Sequence, residues 1–154
     1  KIKFVMCGNG ENLEKISQQM RKYKNIIFPG WINAQQINCL MTIASVGLAP
    51  YRESISFTHS IPNKFGEYLS AGIPVFTGIK GVMKDLIDSN KCGEYYSSGE
   101  SLSQSLLKYY KKNNELKVLS NNAKQLYYKS FNSDYVYNQF ADYIEDTVKT
   151  NYKE

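Results

Sequence analysis

The sequence predicts an α/β fold: parallel strands with helices on both faces. Three observations carry this. Short, unbroken apolar runs recur along the chain, most of them closed by glycine or proline. Between them lie segments whose apolar residues fall at helical spacing. The two kinds of segment alternate through the first hundred residues. A strand buried on both faces reads as a continuous apolar run, and parallel neighbours need a crossover that is usually a helix.

The elements follow in order. Ile2 to Cys7 is an apolar run ending at Gly8, read as a strand. Asn12 to Tyr23 carries Leu13, Ile16 and Met20 at helical spacing. Ile26-Ile27-Phe28 is a second strand, closed by Pro29-Gly30. Asn33 can cap the next helix, whose apolar positions include Ile37, Leu40, Met41 and Ala44. Val46 to Ala49 is a third strand, ending at Pro50. Small and polar residues from Tyr51 to Ile61 read as a loop. A short helix from Pro62 to Ala71 is stopped by Gly72. Pro74 to Thr77 is a fourth strand, Val82 to Ser89 a short helix, and Gly93 to Tyr96 a fifth strand. Three helices, 101–112, 114–130 and 133–149, rich in Tyr and Lys, complete the chain. The whole is a doubly wound, Rossmann-like three-layer arrangement. The chain reads as one domain over residues 1–154, with its α/β core over about 1–100 and a helical extension over 101–154.

Composition narrows the class. At 154 residues and 42% apolar, the chain can bury a sizeable core and is not a disordered segment. No apolar run approaches the roughly 20 residues that span a bilayer. The opening run turns to Gly8-Asn9-Gly10 too soon for a signal-peptide core. The chain starts with Lys1, inside a strand, so it is expected to be cut from a longer protein. Cys7, Cys39 and Cys92 are far apart and odd in number, and read as buried free thiols. With His59 as the single histidine, no metal site is expected. The net charge of +5 is spread along the chain without a basic block, so nucleic acid is not an expected partner. Lys108, Lys111 and Lys112 beside Tyr109 and Tyr110 read either as a solvated helix face or as a patch for anionic lipid headgroups.

Doubly wound sheets bind ligands at the carboxyl ends of their strands. Those ends are Gly8-Asn9-Gly10, Gly30-Trp31, the stretch from Pro50 to Pro62, Gly78 to Gly81, and Ser97 to Gly99. Gly8-Asn9-Gly10 has the strand-to-helix context of a dinucleotide fingerprint, but Leu13 stands where the third glycine belongs. The segment from Pro62 to Pro74 says more. Pro62 can occupy the first turn of its helix. Phe65 and Leu69 share one face; Asn63, Lys64 and Glu67 share the other. The helix N-terminus, just after a strand-end loop, offers amides and a positive dipole end to an anion. Lys64 adds a cation, and Glu67 can accept from the vicinal hydroxyls of a ribose. The same residues also read as an exposed helix with a Lys64–Glu67 surface pair.

The ordered motifs then resemble a known family. Pro62-Asn63-Lys64-Phe65-Gly66-Glu67-Tyr68 through Gly72-Ile73-Pro74-Val75 is similar to the Pro-Asn-Lys-x-x-Glu-Tyr pattern of the retaining GT-B glycosyltransferases of family 4, also called group 1. Val5 to Glu11, Asn25 to Trp31, Ala44 to Tyr51 (with Ser45 where Asp is common) and Gly93 to Glu100 resemble further segments in the family's order. The resemblance covers roughly Lys3 to Leu107 and implies the C-terminal, donor-binding half of a GT-B enzyme.

It implies that Glu67 holds the donor ribose. Asn63 and Lys64 then lie near the diphosphate. Gly30, Trp31 and Ile32 meet the nucleobase, and Ser60, Ile61 and Pro62 line the sugar and phosphate channel. Gly8 and Gly10 belong to the turn beside the cleft. Eight residues before Glu67, where the family's Glu-x7-Glu motif places its first Glu, stands His59, read as a loop residue or sugar contact.

The implied substrate is a nucleoside diphosphate sugar, UDP-linked by preference, with no bound metal or other cofactor. The acceptor, a saccharide or lipid-linked glycan, would be held by an N-terminal domain outside this chain. The principal catalytic Arg and Lys are expected upstream. The chain alone is therefore expected to bind donor and catalyse nothing. Bacterial surface-glycan synthesis in the cytoplasm, peripheral to the inner face of the membrane, is the implied setting. A nucleotide-sugar 2-epimerase of the same architecture and a non-catalytic binding module are the alternatives. Tyr135, Tyr137, Phe140 and Tyr143 suggest self-association of the chain.

Overall fold

A computed structural model of the chain describes residues 1–151; Tyr152, Lys153 and Glu154, the end of the expected domain, lie outside the described residues. The described chain falls into two compact units that divide after Ile43.

The first unit contains β1 (Phe4–Cys7), α1 (Leu13–Met20), β2 (Ile26–Gly30) and α2 (Ala34–Ile43). β1 and β2 pair in parallel, Phe4 with Ile26 and Val5 with Ile27, and the register shifts before Cys7 meets Gly30. Asn33 caps α2 as expected. Its Oδ1 accepts from the Gln36 amide and the Gln36 Oε1 accepts from the Asn33 amide, both at 2.9 Å.

The second unit contains β3 (Gly47–Ala49), α3 (Ile55–Thr58), α4 (Asn63–Ser70), β4 (Val75–Thr77), α5 (Val82–Asn90), β5 (Gly93–Tyr95), α6 (Gly99–Lys111), α7 (Asn113–Ser130) and α8 (Ser133–Asn151). Its strands form a parallel sheet in the order β3-β4-β5, linked through helices. The parallel, helix-connected architecture read from the sequence is thus present, hydrogen-bonded as one two-stranded and one three-stranded ladder.

β4 is the centre of the second unit. Val75, Phe76 and Thr77 are all buried, with neighbours on both edges and helices against the sheet. Around Val75, Phe65 and Leu69 of α4, Met83 and Ile87 of α5, Cys92, and Ala123 and Leu126 of α7 form one cluster. Phe76, Tyr109 and Leu119 form another, with the Phe76 and Tyr109 rings edge to face at 5.7 Å. The helical extension therefore supplies core: α6 and α7 bury apolar faces in it.

Three expectations are corrected. The loop 51–61 contains a helical turn, α3, because Ser54 caps it by accepting from the Phe57 amide at 3.3 Å. Pro62 is the cap residue of α4, extended at φ −64°, ψ 144°, and the helix begins one residue later. Of the cysteines, Cys92 is buried but Cys7 and Cys39 are exposed. Cys7 ends β1, most of whose residues are exposed, and Cys39 lies on α2, which buries no residue fully.

Candidate functional site

α4 is positioned by two anchors and a stop. Phe65 and Leu69, four residues apart, are 1% and 0% exposed. Beyond Ala71, Gly72 adopts φ 69°, a left-handed geometry that ends the helix without the clash a Cβ would bring. The Gly72 amide donates to the Leu69 carbonyl at 2.9 Å and the Ile73 amide to that of Tyr68 at 2.8 Å. That fixes the rotation of the helix and leaves Asn63, Lys64, Glu67 and Ser70 exposed.

No side chain caps the N-terminus of α4. The Phe65 amide is taken by the Pro62 carbonyl at 2.8 Å, so the amides of Asn63 and Lys64 stand at the positive end of the helix dipole without a side-chain acceptor. Among the described residues, Lys64 and Glu67 form no ion pair with each other; the four salt bridges lie elsewhere. The surface-pair reading of this helix is therefore not realised. Glu67 does act on Tyr51. Burial raises the Tyr51 hydroxyl above its ordinary range, and the nearby Glu67 charge raises it further. Tyr51 is held in place by stacking on Phe57, with centroids 4.6 Å apart.

Asn63 and Glu67 open onto a cavity of about 330 Å³. Ile61, Pro62, Gly66 and Ser70 also line it, as do Tyr127 of α7 and Phe131, the residue that caps its C-terminus. Pro62, Asn63 and Glu67 are thus brought together as expected. Lys64 is not among the lining residues.

His59 and Ser60 are engaged locally. His59 follows α3, and its Nδ1 lies 3.1 Å from the Ile55 carbonyl and 3.0 Å from Thr58 Oγ1. A carbonyl can only accept, so Nδ1 carries a proton in that contact. Ser60 Oγ donates to the Ser56 carbonyl. α3 in turn rests on the strand-end loop after β4: a Cβ on Gly81, at φ 96°, would overlap the Thr58 carbonyl. Thr77 Oγ1, fully buried, donates to the Ala49 carbonyl and accepts from the Ile79 amide, each at 3.3 Å, tying two strand ends together.

The remaining candidates lie in the first unit. Gly8 and Gly10 line a cavity of about 220 Å³ with Met6, Glu11 and Phe28. The Gly8 amide donates to the Gly30 carbonyl at 2.7 Å, joining the two strand-end turns. Trp31, 68% exposed, and Ile32, half-buried, follow directly. The tyrosine–lysine patch on α6 is largely spent internally. Lys108 Nζ is 3.2 Å from both Glu94 Oε1 and the Tyr109 hydroxyl, and Lys112 Nζ is 2.7 Å from Glu115 Oε1.

Sequence reasoning missed Gly66, Tyr127 and Phe131 as site residues. Gly66 carries no side chain to read. Tyr127 and Phe131 lie some sixty residues after α4, on and just after a helix whose apolar pattern reads only as core. Tyr51 was legible as a landmark beside Pro50, though not as the neighbour of Glu67.

The second unit is thus a parallel sheet covered by helices, with a cavity beside α4 and a helix N-terminus open to an anion. The particular class follows from the sequence: residues 1–126 match the family of glycosyl transferases group 1, and the chain belongs to that family. No match is found among curated proteins. Solved structures of similar fold include Anabaena HepE in complex with UDP-glucose, with a TM-score of 0.72 and 18% identity over 94% of this chain and 41% of that one. Sucrose-phosphate synthase from Thermosynechococcus elongatus has a TM-score of 0.76 at 13% identity, over 95% of this chain and 38% of that one. A glycosyltransferase involved in avilamycin A biosynthesis has a TM-score of 0.63 at 13% identity, over 91% and 41%. The chain thus spans about two fifths of the length of these proteins.

Proposed function

We propose that this chain is the donor-binding part of a retaining, family 4 GT-B glycosyltransferase that takes a sugar from a nucleoside diphosphate sugar. The observation that carries the reading is the state of α4. Its N-terminus has no side-chain cap, and the Glu67 carboxylate and the Asn63 carboxamide line one cavity. In this reading the Glu67 carboxylate accepts from the ribose hydroxyls. The Asn63 and Lys64 amides, the helix dipole and the Lys64 ammonium stabilise charge on the departing diphosphate. His59 and Ser60 border the sugar.

A UDP-linked donor is favoured because HepE, of similar fold, is solved with UDP-glucose and with UDP. The acceptor, a saccharide or lipid-linked glycan, is held by a part of the protein outside this chain, as the coverage of two fifths suggests. The intact protein works in the cytoplasm, peripheral to the membrane. The exposed face of α8 with Tyr135, Tyr137, Phe140 and Tyr143 favours self-association of the chain as produced; sedimentation as a clean monomer at high concentration would remove that part of the reading.

Calorimetric titration of UDP, GDP and ADP into the chain tests the site. UDP is expected to bind most tightly, and Glu67→Ala to weaken it at least tenfold. Absence of binding by all three, or equal binding in the variant, overturns the assignment.

A further inference from the structure

α7 turns a basic face to solvent. The helix buries Leu119, Ala123 and Leu126, which fixes its rotation. From Leu116 to Ser130 it has three lysines, Lys117, Lys124 and Lys129, and no acidic residue. Lys117, Asn121, Lys124 and Tyr128 fall within about 60° of one another around the axis, in a stripe about 16 Å long. Val118 and Lys129 border the stripe, and all of these residues are exposed. The lysines are too far apart along the chain to read as a basic block; winding the helix brings them to one side.

These lysines have little to do within the protein. None forms an ion pair among the described residues, where the salt bridges use Lys84, Lys108, Lys112 and Lys149. Glu115, the acid of α7, is taken by Lys112 at 2.7 Å. Lys129 stands in the last turn, where the helix dipole favours a cation. Lys117, near the start of the helix, has no such support. A Cβ on Gly72 would stand 3.8 Å from Lys124 Cδ, so the Lys124 stem runs past the turn that ends α4 while the residue stays exposed. Apolar groups stand among the charges. Val118 is 56% exposed and Tyr128 59%, and the Tyr128 ring is held edge to face by Tyr127 at 5.5 Å.

Solvated surfaces intersperse both signs of charge. A face of one sign, with a tyrosine and a valine among its lysines, suits a planar anionic layer. The ammonium groups meet lipid phosphates, and Tyr128 and Val118 enter the headgroup region, where tyrosine is favoured. We propose that this face of α7 docks the chain on an anionic lipid bilayer. α8 is the wrong sign for that contact: it carries Asp134, Asp142, Glu145 and Asp146 against Lys149. The proposal rests on the membrane-peripheral setting given above and is independent of the donor site.

The test is co-sedimentation of the chain with vesicles of phosphatidylcholine containing about one third phosphatidylglycerol, and with vesicles of phosphatidylcholine alone. Each lysine near an anionic surface contributes on the order of fivefold in partitioning. The wild-type chain should bind the anionic vesicles about tenfold or more tightly than the neutral ones, and lose that preference as salt rises. Replacing the three lysines together, Lys117→Gln, Lys124→Gln and Lys129→Gln, should weaken binding about tenfold or more. The same charge change elsewhere on the surface, Lys3→Gln, Lys15→Gln and Lys24→Gln, should weaken it less than about threefold. Glutamine is as good a helix former as lysine, and thermal unfolding checks that each variant folds. If the triple variant unfolds, Lys124→Gln alone should still lose about threefold or more. UDP titration, which reads α4, should be the same for wild type and the α7 triple variant. Equal weakening by the α7 triple and the control triple refutes the face and leaves the membrane setting intact. Equal binding to both kinds of vesicle assigns the contact to apolar residues such as those of α8 and overturns the proposal. Binding to neither removes the membrane setting and the proposal together. Tighter binding to single-stranded RNA than to anionic vesicles makes the partner a nucleic acid and overturns it as well.

Discussion

α7 and α8 are similar in length and amphipathic pattern and opposites in structure. Each is a helix of 18 or 19 residues that carries tyrosines, with apolar residues at helical spacing. α7 buries Leu119, Ala123 and Leu126. α8 leaves Tyr135, Val136, Tyr137, Phe140, Tyr143, Ile144 and Val148 exposed. The difference teaches that an amphipathic pattern specifies a face, not a partner. α7 has its partner within the unit, in α4, α5 and the sheet; within the described residues α8 has none of comparable extent.

Substitutions on the two helices break or sharpen this comparison. Leu126→Ala, at a position 3% exposed inside the main cluster, should cost about 2–5 kcal/mol in denaturant unfolding. The equivalent truncation on α8, Phe140→Ala, should stay within about 0.5 kcal/mol, because its ring is already in water. Equal effects would mean that α8 is buried in solution.

A pH titration reads the core beneath α7. Burial pushes the Cys92 thiol up to about 11 from its ordinary 9.0. The unfolded chain therefore releases this proton first. Below pH 9 the stabilisation is complete; between pH 9 and 11 unfolding becomes progressively easier. Tyr96 and Tyr109, also raised by burial, act in the same sense. Cys92→Ala should flatten the slope between pH 9 and 11, followed by urea midpoints. In the same range a thiol reagent should label Cys7 and Cys39 in the native protein and reach Cys92 only as it opens.

The smallest effect is expected at the junction of the two helices. Asn132 Oδ1 accepts from the amides of Asp134 and Tyr135 at 3.0 and 3.4 Å, starting α8. Asn132→Ala should cost about 1 kcal/mol of α8 helicity. Hydrogen exchange should quicken in the first turn of α8 and remain unchanged in α7.

The candidate site divides along a similar line. α4 was legible in the sequence because its signals are local: two apolar anchors four residues apart, a proline before the helix and a glycine after it. The aromatic lining of the cavity was not legible. Tyr127 and Phe131 carry the same aromatic signal whether they fill a core, line a cavity or meet solvent, and only packing against Phe65 and the neighbouring cluster separates these fates. The helical turn at Ile55–Thr58 was missed for a related reason: one capped turn gives too few residues for a period to show.

By itself, the sequence determined the order of strands and helices, the parallel class, and the helix and strand within Ile61 to Val75. These follow from periodicity and from the chain-breaking residues, which act over a few neighbouring positions. The tertiary structure alone decided that Glu67 lines a cavity and forms no pair with Lys64, and that the Tyr127 and Phe131 rings line it too. It also decided that α7 is core while α8 is surface. Those outcomes depend on which faces meet across long stretches of chain, and no local pattern encodes that.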